Sequence, residues 1–197
     1  MAVGTSSSML GGALLLLLLL LLLVLSSATD FHDGSSSSAA PLSPLDDLCI
    51  SLGSQYVTPD VCVAALCVDP SCRSTRGLPE LAALAIRLTA ANATVAKASI
   101  ESSLAHATDA ETKKAMRSCL QLYAGAVEAL QWATRSVAAG QYRGAREAVQ
   151  AAVYVPSGCD GMAQVALSRE NDDFFQMAFV GHAVLAWVQH SIDRLTN

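Results

Sequence analysis

Residues 108–140 read TDAETKKAMRSCLQLYAGAVEALQWATRSVAAG, the clearest helical stretch of the chain. Thr108 and Glu111 fit a capping box, in which the threonine hydroxyl and the glutamate carboxylate satisfy open N–H groups of the first turn. The closing Ala139-Gly140 is typical of a helix end. The stretch predicts one long amphipathic helix whose core stripe is Met116, Cys119, Tyr123, Val127, Leu130 and Val137.

The same periodicity appears before this stretch. A helix is predicted from near Pro79 to about His106, because proline is tolerated at a first helical position. Its predicted core stripe is Leu81, Leu84, Ala85, Leu88, Val95 and Ala98.

Two further helices are predicted after it. One opens near Gln141-Tyr142 and buries Ala145, Val149 and Ala152, and Pro156-Ser157-Gly158 should kink or interrupt it before Cys159. The last begins after Asn171-Asp172, with a stripe of Phe174, Met177, Gly181, Val184, Leu185, Val188, Ile192 and Leu195. No alternating strand pattern competes, and the short connections predict an all-α, antiparallel, up-down-up-down four-helix bundle.

A smaller helical unit precedes the bundle. Leu45, Leu48 and Cys49 come first, a loop passes through Gly53 and Thr58-Pro59, and an apolar run from Val61 to Leu66 follows. This order predicts an N-terminal helical hairpin.

The chain begins with a secretory pattern. A leucine block ends at Leu25 and is followed by Ser26-Ser27-Ala28, so we expect a signal peptide over 1–28 that is cleaved after Ala28. The apolar run 13–25 is shorter than the roughly 20 residues of a membrane-spanning helix. A flexible Ser-rich tether over 29–44 and a folded domain over 45–196 should follow.

Composition excludes several classes of function. The chain of 197 residues has a net charge of −5 and no basic stripe for nucleic acid, so a basic partner surface suits it better. The sequence contains neither paired CxxC elements nor clustered histidines, so no metal or other cofactor is expected. His182 should pack against the bundle, and His190, Ser191 and Asp193 lack a nucleophile turn, so no enzyme activity is expected.

Six cysteines allow 15 pairings, so their number does not decide the connectivity. Position favours Cys49 with Cys62 across the hairpin loop, and Cys119 with Cys159 between adjacent bundle helices. A local third pair, Cys67 with Cys72, would close the turn Val68-Asp69-Pro70-Ser71. Asn92-Ala93-Thr94 is a glycosylation sequon inside a predicted helix.

Over about Leu48 to Leu195, these elements together resemble the plant invertase and pectin methylesterase inhibitor family. Those carrying the resemblance are the Cys49–Cys62 preface, Cys62-Val63-Ala64-Ala65-Leu66, Asp69-Pro70-Ser71, Cys119-Leu120-Gln121-Leu122-Tyr123, Gly140-Gln141-Tyr142 and Cys159. The resemblance implies a four-helix bundle with an N-terminal hairpin, Cys49–Cys62 and Cys119–Cys159 disulfides, and inhibition of cell-wall enzymes by protein contact. Cys67, Cys72 and Pro156 depart from the family pattern.

The resemblance also implies a target. Invertase inhibitors carry a Pro-Lys-Phe motif where this chain has Tyr142-Arg143-Gly144, whereas Gly140-Gln141-Tyr142 is similar to the Gly-Asp-Tyr of pectin methylesterase inhibitors. A plant pectin methylesterase is therefore the expected partner, in a one-to-one complex with a monomeric inhibitor in the cell wall, and acid invertase is the alternative. The expected contact residues are Gln121, Gly125, Glu128, Gln141, Tyr142 and Asp160.

Two other classes of function stay open at this point. A secreted helical protein with many cysteines can hold an apolar ligand in a central cavity, although the adjacent Cys-Cys and Cys-x-Cys pairs of plant lipid-transfer proteins do not occur here. A purely structural cell-wall domain is the remaining alternative.

Overall fold

The computed structural model describes residues 42–53, 57–163 and 169–196. The predicted signal peptide, and the predicted tether as far as residue 41, lie outside these ranges. In chain order the helices are α1 (Pro44–Gly53), α2 (Pro59–Leu66), a 3-10 helix (Pro70–Ser74), α3 (Leu78–His106), α4 (Ala110–Ala138), α5 (Tyr142–Val153), α6 (Val155–Ala163) and α7 (Arg169–Thr196).

The bundle consists of α3, α4, α7 and the consecutive pair α5 and α6. Helix α3 packs against α4 and α7, α4 packs against α5 and α6, and α5 packs against α7. Each long member thus contacts its neighbours in the ring. The predicted all-α bundle with an N-terminal hairpin is confirmed.

The stripe predicted for α4 lies in the core. Met116, Cys119, Tyr123, Leu130 and Val137 are buried, and Val127 is partly buried against them. This buried side of α4 packs against α3 and against α5 and α6.

The stripe predicted for α3 is wrong in its second half. Val95 is 55% exposed, and Ala98 is exposed as well. After Ala85 the buried positions of α3 continue at helical spacing with Thr89, Ala93, Ala96 and Ile100. Because Thr89 is polar, a pattern of apolar residues alone does not include it. Thr89 is tolerated there because its Oγ1 donates to the Ala85 carbonyl oxygen at 2.8 Å.

The start of α4 differs from the predicted capping box. The N-cap residue is Asp109, whose Oδ1 accepts a hydrogen bond from the Thr112 N–H at 2.8 Å. A hydrogen bond from the Thr112 side chain, together with this backbone bond, holds the pKa of Asp109 below its usual value. The N-cap is therefore Asp109, one residue after Thr108. An aspartate carboxylate at the N-cap accepts a hydrogen bond from the N–H group three residues later, as a threonine hydroxyl would.

The predicted interruption before Cys159 is confirmed. Helix α5 ends at Val153, and α6 restarts at Val155 with Pro156 in its first turn, where a missing N–H costs nothing. The Gly158 N–H donates to the Tyr154 carbonyl oxygen across the break.

The start and end of α7 differ from the prediction. The helix begins at Arg169, before Asn171, which is a buried helical residue rather than part of a preceding loop. Ile192 and Leu195, predicted as core, are exposed. The buried stripe of α7 ends one turn before Ile192, at Val188. Ile192 lines a cleft beside the start of α5 instead.

The N-terminal hairpin packs onto the bundle through both of its helices. Ser43 caps α1, since its Oγ accepts from the Asp46 N–H and donates to the Asp46 carboxylate. Helices α1 and α2 contact each other and both touch α3 and α7. In the described residues, no helix is long and apolar enough to cross a membrane.

Candidate functional site

The outward face of α4 carries three of the expected contact residues. Gln121, Gly125 and Glu128 are all exposed. They follow one another at i, i+4 and i+7, so they lie on one stripe turned away from the buried one. The next position of that stripe, at i+11, is Trp132, which is 45% exposed and which the sequence analysis did not single out.

The Trp132 indole lies directly against α5. A Cβ atom built on Gly144 would be 2.9 Å from Trp132 Cη2. A larger residue at position 144 would therefore require the ring to shift. Pairs of Gly and Trp on separate helices give no periodic signal, so the contact could not be found from sequence.

The turn from α4 into α5 is fixed by its backbone. Gly140 has a φ of +75°, a conformation that favours glycine. The Gln141 N–H donates to the Ser136 carbonyl oxygen, and the Gly140 N–H donates to that of Val137, which is the Schellman pattern. The short turn makes α4 and α5 antiparallel neighbours.

Gln141 and Tyr142 lie at the start of α5 and not on the α4 stripe itself. They line a cleft of about 350 Å³ between the start of α5 and the end of α7. Gln141 is exposed, whereas Tyr142 is partly buried and packs against the core. The remaining lining residues are Gly140, Arg143, Gly144, Gln189, Ile192 and Asp193.

Asp160 is exposed on α6, at the far end of the α5 and α6 pair. Its Oδ1 accepts a hydrogen bond from Asn171 Nδ2 at 3.3 Å, and Asn171 Oδ1 accepts from the Tyr123 hydroxyl at 2.5 Å. Burial, reinforced by Asp160 and Asp172, raises the pKa of Tyr123, so the phenol stays protonated and donates. Tyr123 also packs against the Phe174 ring.

The structure therefore gathers the expected contact residues into three places. Gln121, Gly125 and Glu128 share the α4 stripe, Gln141 and Tyr142 line the α5–α7 cleft, and Asp160 lies on α6. The Cys119–Cys159 bond, with Cα atoms 5.1 Å apart, joins α4 to α6 near Asp160, and the Trp132–Gly144 contact joins α4 to α5 near the turn.

The other two disulfides lie at the N-terminal end of the fold. Cys49 and Cys62 join α1 to α2 with a Cα separation of 5.5 Å. Cys67 and Cys72 close the turn into the 3-10 helix with a Cα separation of 5.1 Å. Asp69, inside that turn, accepts from the Ser71 N–H and hydroxyl.

The remaining polar candidates have structural partners. Ser191 Oγ donates to the Trp187 carbonyl oxygen, and Asn92 Nδ2 donates to that of Leu88 within α3. His182 is half-buried; burial, reinforced by Arg146, lowers its pKa. In the part of the chain that the structure describes, no group of three or more His, Cys, Asp or Glu side chains could hold a metal ion.

Comparisons with known proteins agree on one family. The model of the plant invertase/pectin methylesterase inhibitor family matches residues 43–181. A mutant form of a pectin methylesterase inhibitor from Arabidopsis has a similar crystal structure, with 20% identity, a TM-score of 0.61, and coverage of 74% of this chain and 97% of that chain. A second crystal structure, of a pectin methylesterase inhibitor from Arabidopsis thaliana, has 20% identity and a TM-score of 0.53 over 75% and 97% of the two chains.

At this identity the two structures show a shared fold. The search of curated proteins gave no match. The family model covers most of the described bundle, including the hairpin, the Cys119–Cys159 bond and the Gly140 turn. The chain belongs to the plant invertase/pectin methylesterase inhibitor family.

Proposed function

We propose that the chain is a secreted inhibitor that binds a plant pectin methylesterase and covers its substrate cleft in an equimolar complex in the cell wall. The observation that carries the proposal is the exposed α4 stripe on a bundle of this family, held at one end by the Cys119–Cys159 bond. The two solved proteins compared above are pectin methylesterase inhibitors. The absence of Pro-Lys-Phe at the start of α5 also favours this target over invertase.

A rigid scaffold lowers the entropy cost of such binding. The α4 stripe lies on a regular helix whose neighbours are fixed by the Gly140 turn and by the Trp132–Gly144 contact. Little conformational freedom is then lost on binding, so a modest set of contacts can give useful affinity. The inhibitor itself needs no chemistry for this role.

The test is a titration of pectin methylesterases and acid invertases with the refolded mature domain from about Thr29. We expect reversible, equimolar inhibition of at least one pectin methylesterase. Inhibition of invertases alone would reassign the target, and failure against both enzyme classes would favour a purely structural domain. Because carboxylates such as Glu128 and Asp160 would take part in the contact, the titration should be repeated at mildly acidic pH.

A charge reversal tests the contact face. Glu128→Lys should weaken inhibition while the fold stays intact, because a reversed charge at the rim of an interface alters association and its salt dependence. Glu101→Lys, at an exposed acid on α3 that pairs with Lys97, is the control and should inhibit like the parent. Equal inhibition by both variants would remove the α4 stripe from the proposed contact.

A further inference from the structure

We propose that Trp132 is the anchor of the complex, and that the enzyme surface it fits offers an apolar pocket flanked by a basic group on one side and an acidic group on the other. The inference rests on the proposed function and adds to it the residue that gives most of the binding energy. Trp132 shares the stripe with Gln121, Gly125 and Glu128 and is its single large apolar member.

The Trp132 ring is held in place against α5. One edge of the indole lies over Gly144, with Cη2 2.9 Å from the point where a Cβ would stand, and 45% of the residue stays exposed. An aromatic side chain held in this way loses little freedom when a partner covers it. Interface residues that dominate binding are enriched in tryptophan for this reason and because of their large apolar area.

Opposite charges lie on the two sides of the ring along α4. Glu128 precedes Trp132 by one turn, and Arg135 follows it by three residues; both side chains are exposed. A partner that receives the indole would therefore meet an anion on one side and a cation on the other. This order requires a complementary basic group and acidic group at the rim of its pocket, which fixes the direction of docking along α4.

The chain contains a matched control for the anchor. Phe175 on α7 is an aromatic residue that is 44% exposed, almost the same fraction as Trp132, but it lies outside α4. Removing either ring takes a similar exposed apolar group from the surface. Only one of the two lies on the proposed contact face.

The experiment measures the dissociation constant of the mature domain for the enzyme that it inhibits. We expect Trp132→Ala to raise this constant by about 30-fold or more, and Phe175→Ala to leave it within about twofold of the parent value. Both variants should keep the parent's helical content and a cooperative thermal transition above the assay temperature, which excludes unfolding as the cause. If Trp132→Ala binds as tightly as Phe175→Ala, the anchor is wrong although the inhibition stands.

A second variant tests the seat of the ring, which is the surface of α5 at Gly144 on which the Trp132 indole lies. Gly144→Ala places a Cβ where the indole edge lies and favours the helical backbone of α5, so it should weaken binding several-fold while the melting temperature is kept or rises. Unchanged affinity would show that the seat does not position the ring. If the parent inhibits no enzyme of the panel, the proposed function fails, and the anchor falls with it.

Discussion

The close approach of α3 and α7 depends on a single missing methyl group. A Cβ on Gly181 of α7 would lie 2.5 Å from Thr89 Oγ1 of α3. That hydroxyl also donates to the Met177 carbonyl oxygen at 3.3 Å, so it links the two helices as well as its own. Gly181 is therefore a packing residue, and its conformational freedom plays no part.

Gly181→Ala should accordingly destabilise the fold. We expect the free energy of unfolding to fall by about 1–3 kcal/mol, the usual cost of overpacking a core, in a chemical denaturation experiment. Gly125→Ala is the control, since nothing lies within 4 Å of its Cβ position and the change should be neutral or stabilising. A Thr89→Ala background should remove most of the Gly181→Ala penalty; an undiminished penalty would contradict the steric explanation.

His182 makes stability depend on pH. Burial, reinforced by Arg146, lowers the pKa of His182 below the usual 6.5, so the unfolded chain takes up the proton first as the pH falls. The stability that this residue contributes is fully present above its pKa in the unfolded chain, and it is lost as the pH falls below that pKa. His182→Gln should therefore lose less melting temperature than the parent between about pH 7.5 and about pH 5.

The control for this prediction is another histidine of the same helix. His190 is exposed on α7, and His190→Gln should keep the parent's dependence of melting temperature on pH. If His182→Gln and His190→Gln show the same slope, the acid sensitivity arises elsewhere.

At the scale of the helix, the start of α4 distinguishes two neighbouring caps. Asp109 accepts from the Thr112 N–H, whereas Thr108 lies one residue outside the cap. We expect Asp109→Ala to lower the melting temperature and Thr108→Ala to leave it unchanged, because only the first loses a partner of the open N–H groups. A larger loss in Thr108→Ala would restore the capping box read from the sequence.

The helices themselves were predictable because their buried faces are mostly apolar and periodic. The prediction failed where burial falls on a polar residue with an internal partner. Thr89 of α3 and Asn171 of α7 are examples: each is buried because a hydrogen bond satisfies it, and no pattern of apolar residues shows such a bond. For this reason the apolar pattern of α3 places Val95 in the core, although its side chain is exposed.

The candidate site was predictable in part. The spacing of Gln121, Gly125 and Glu128 placed them on one face, and the structure finds that face exposed. Extending the same spacing by four residues would have found Trp132. Its contact with Gly144 depends on the register between α4 and α5, which sequence periodicity leaves undetermined.

At the scale of the whole molecule, the disulfides should differ in what they contribute to stability. Cys119 and Cys159 are 40 residues apart, and Cys67 and Cys72 are 5 residues apart. In the chain-entropy model the longer loop stabilises by about 2 kcal/mol more. Replacing both cysteines of a pair by serine should therefore lower the free energy of unfolding more for Cys119 with Cys159 than for Cys67 with Cys72.

Peptide mapping without reduction checks the pairing on which this comparison depends. Fragments joining Cys119 to Cys159, Cys49 to Cys62 and Cys67 to Cys72 should be recovered. A fragment joining Cys62 to Cys119 would contradict both the connectivity and the prediction, whereas equal losses in the two serine variants would contradict only the entropic argument.

The Gly140 turn also bears on how the chain reaches this state. It brings α4 and α5 together through a reversal of a few residues, so their pairing requires little loop closure and can form early and fast. Because α6 follows α5 directly, this pairing also brings the thiol of Cys159 on α6 towards that of Cys119 on α4 before oxidation. We expect oxidation at this pair to follow helix pairing during refolding. A β-branched residue at position 140, which is 19 residues before Cys159, should therefore slow the formation of the Cys119–Cys159 bond.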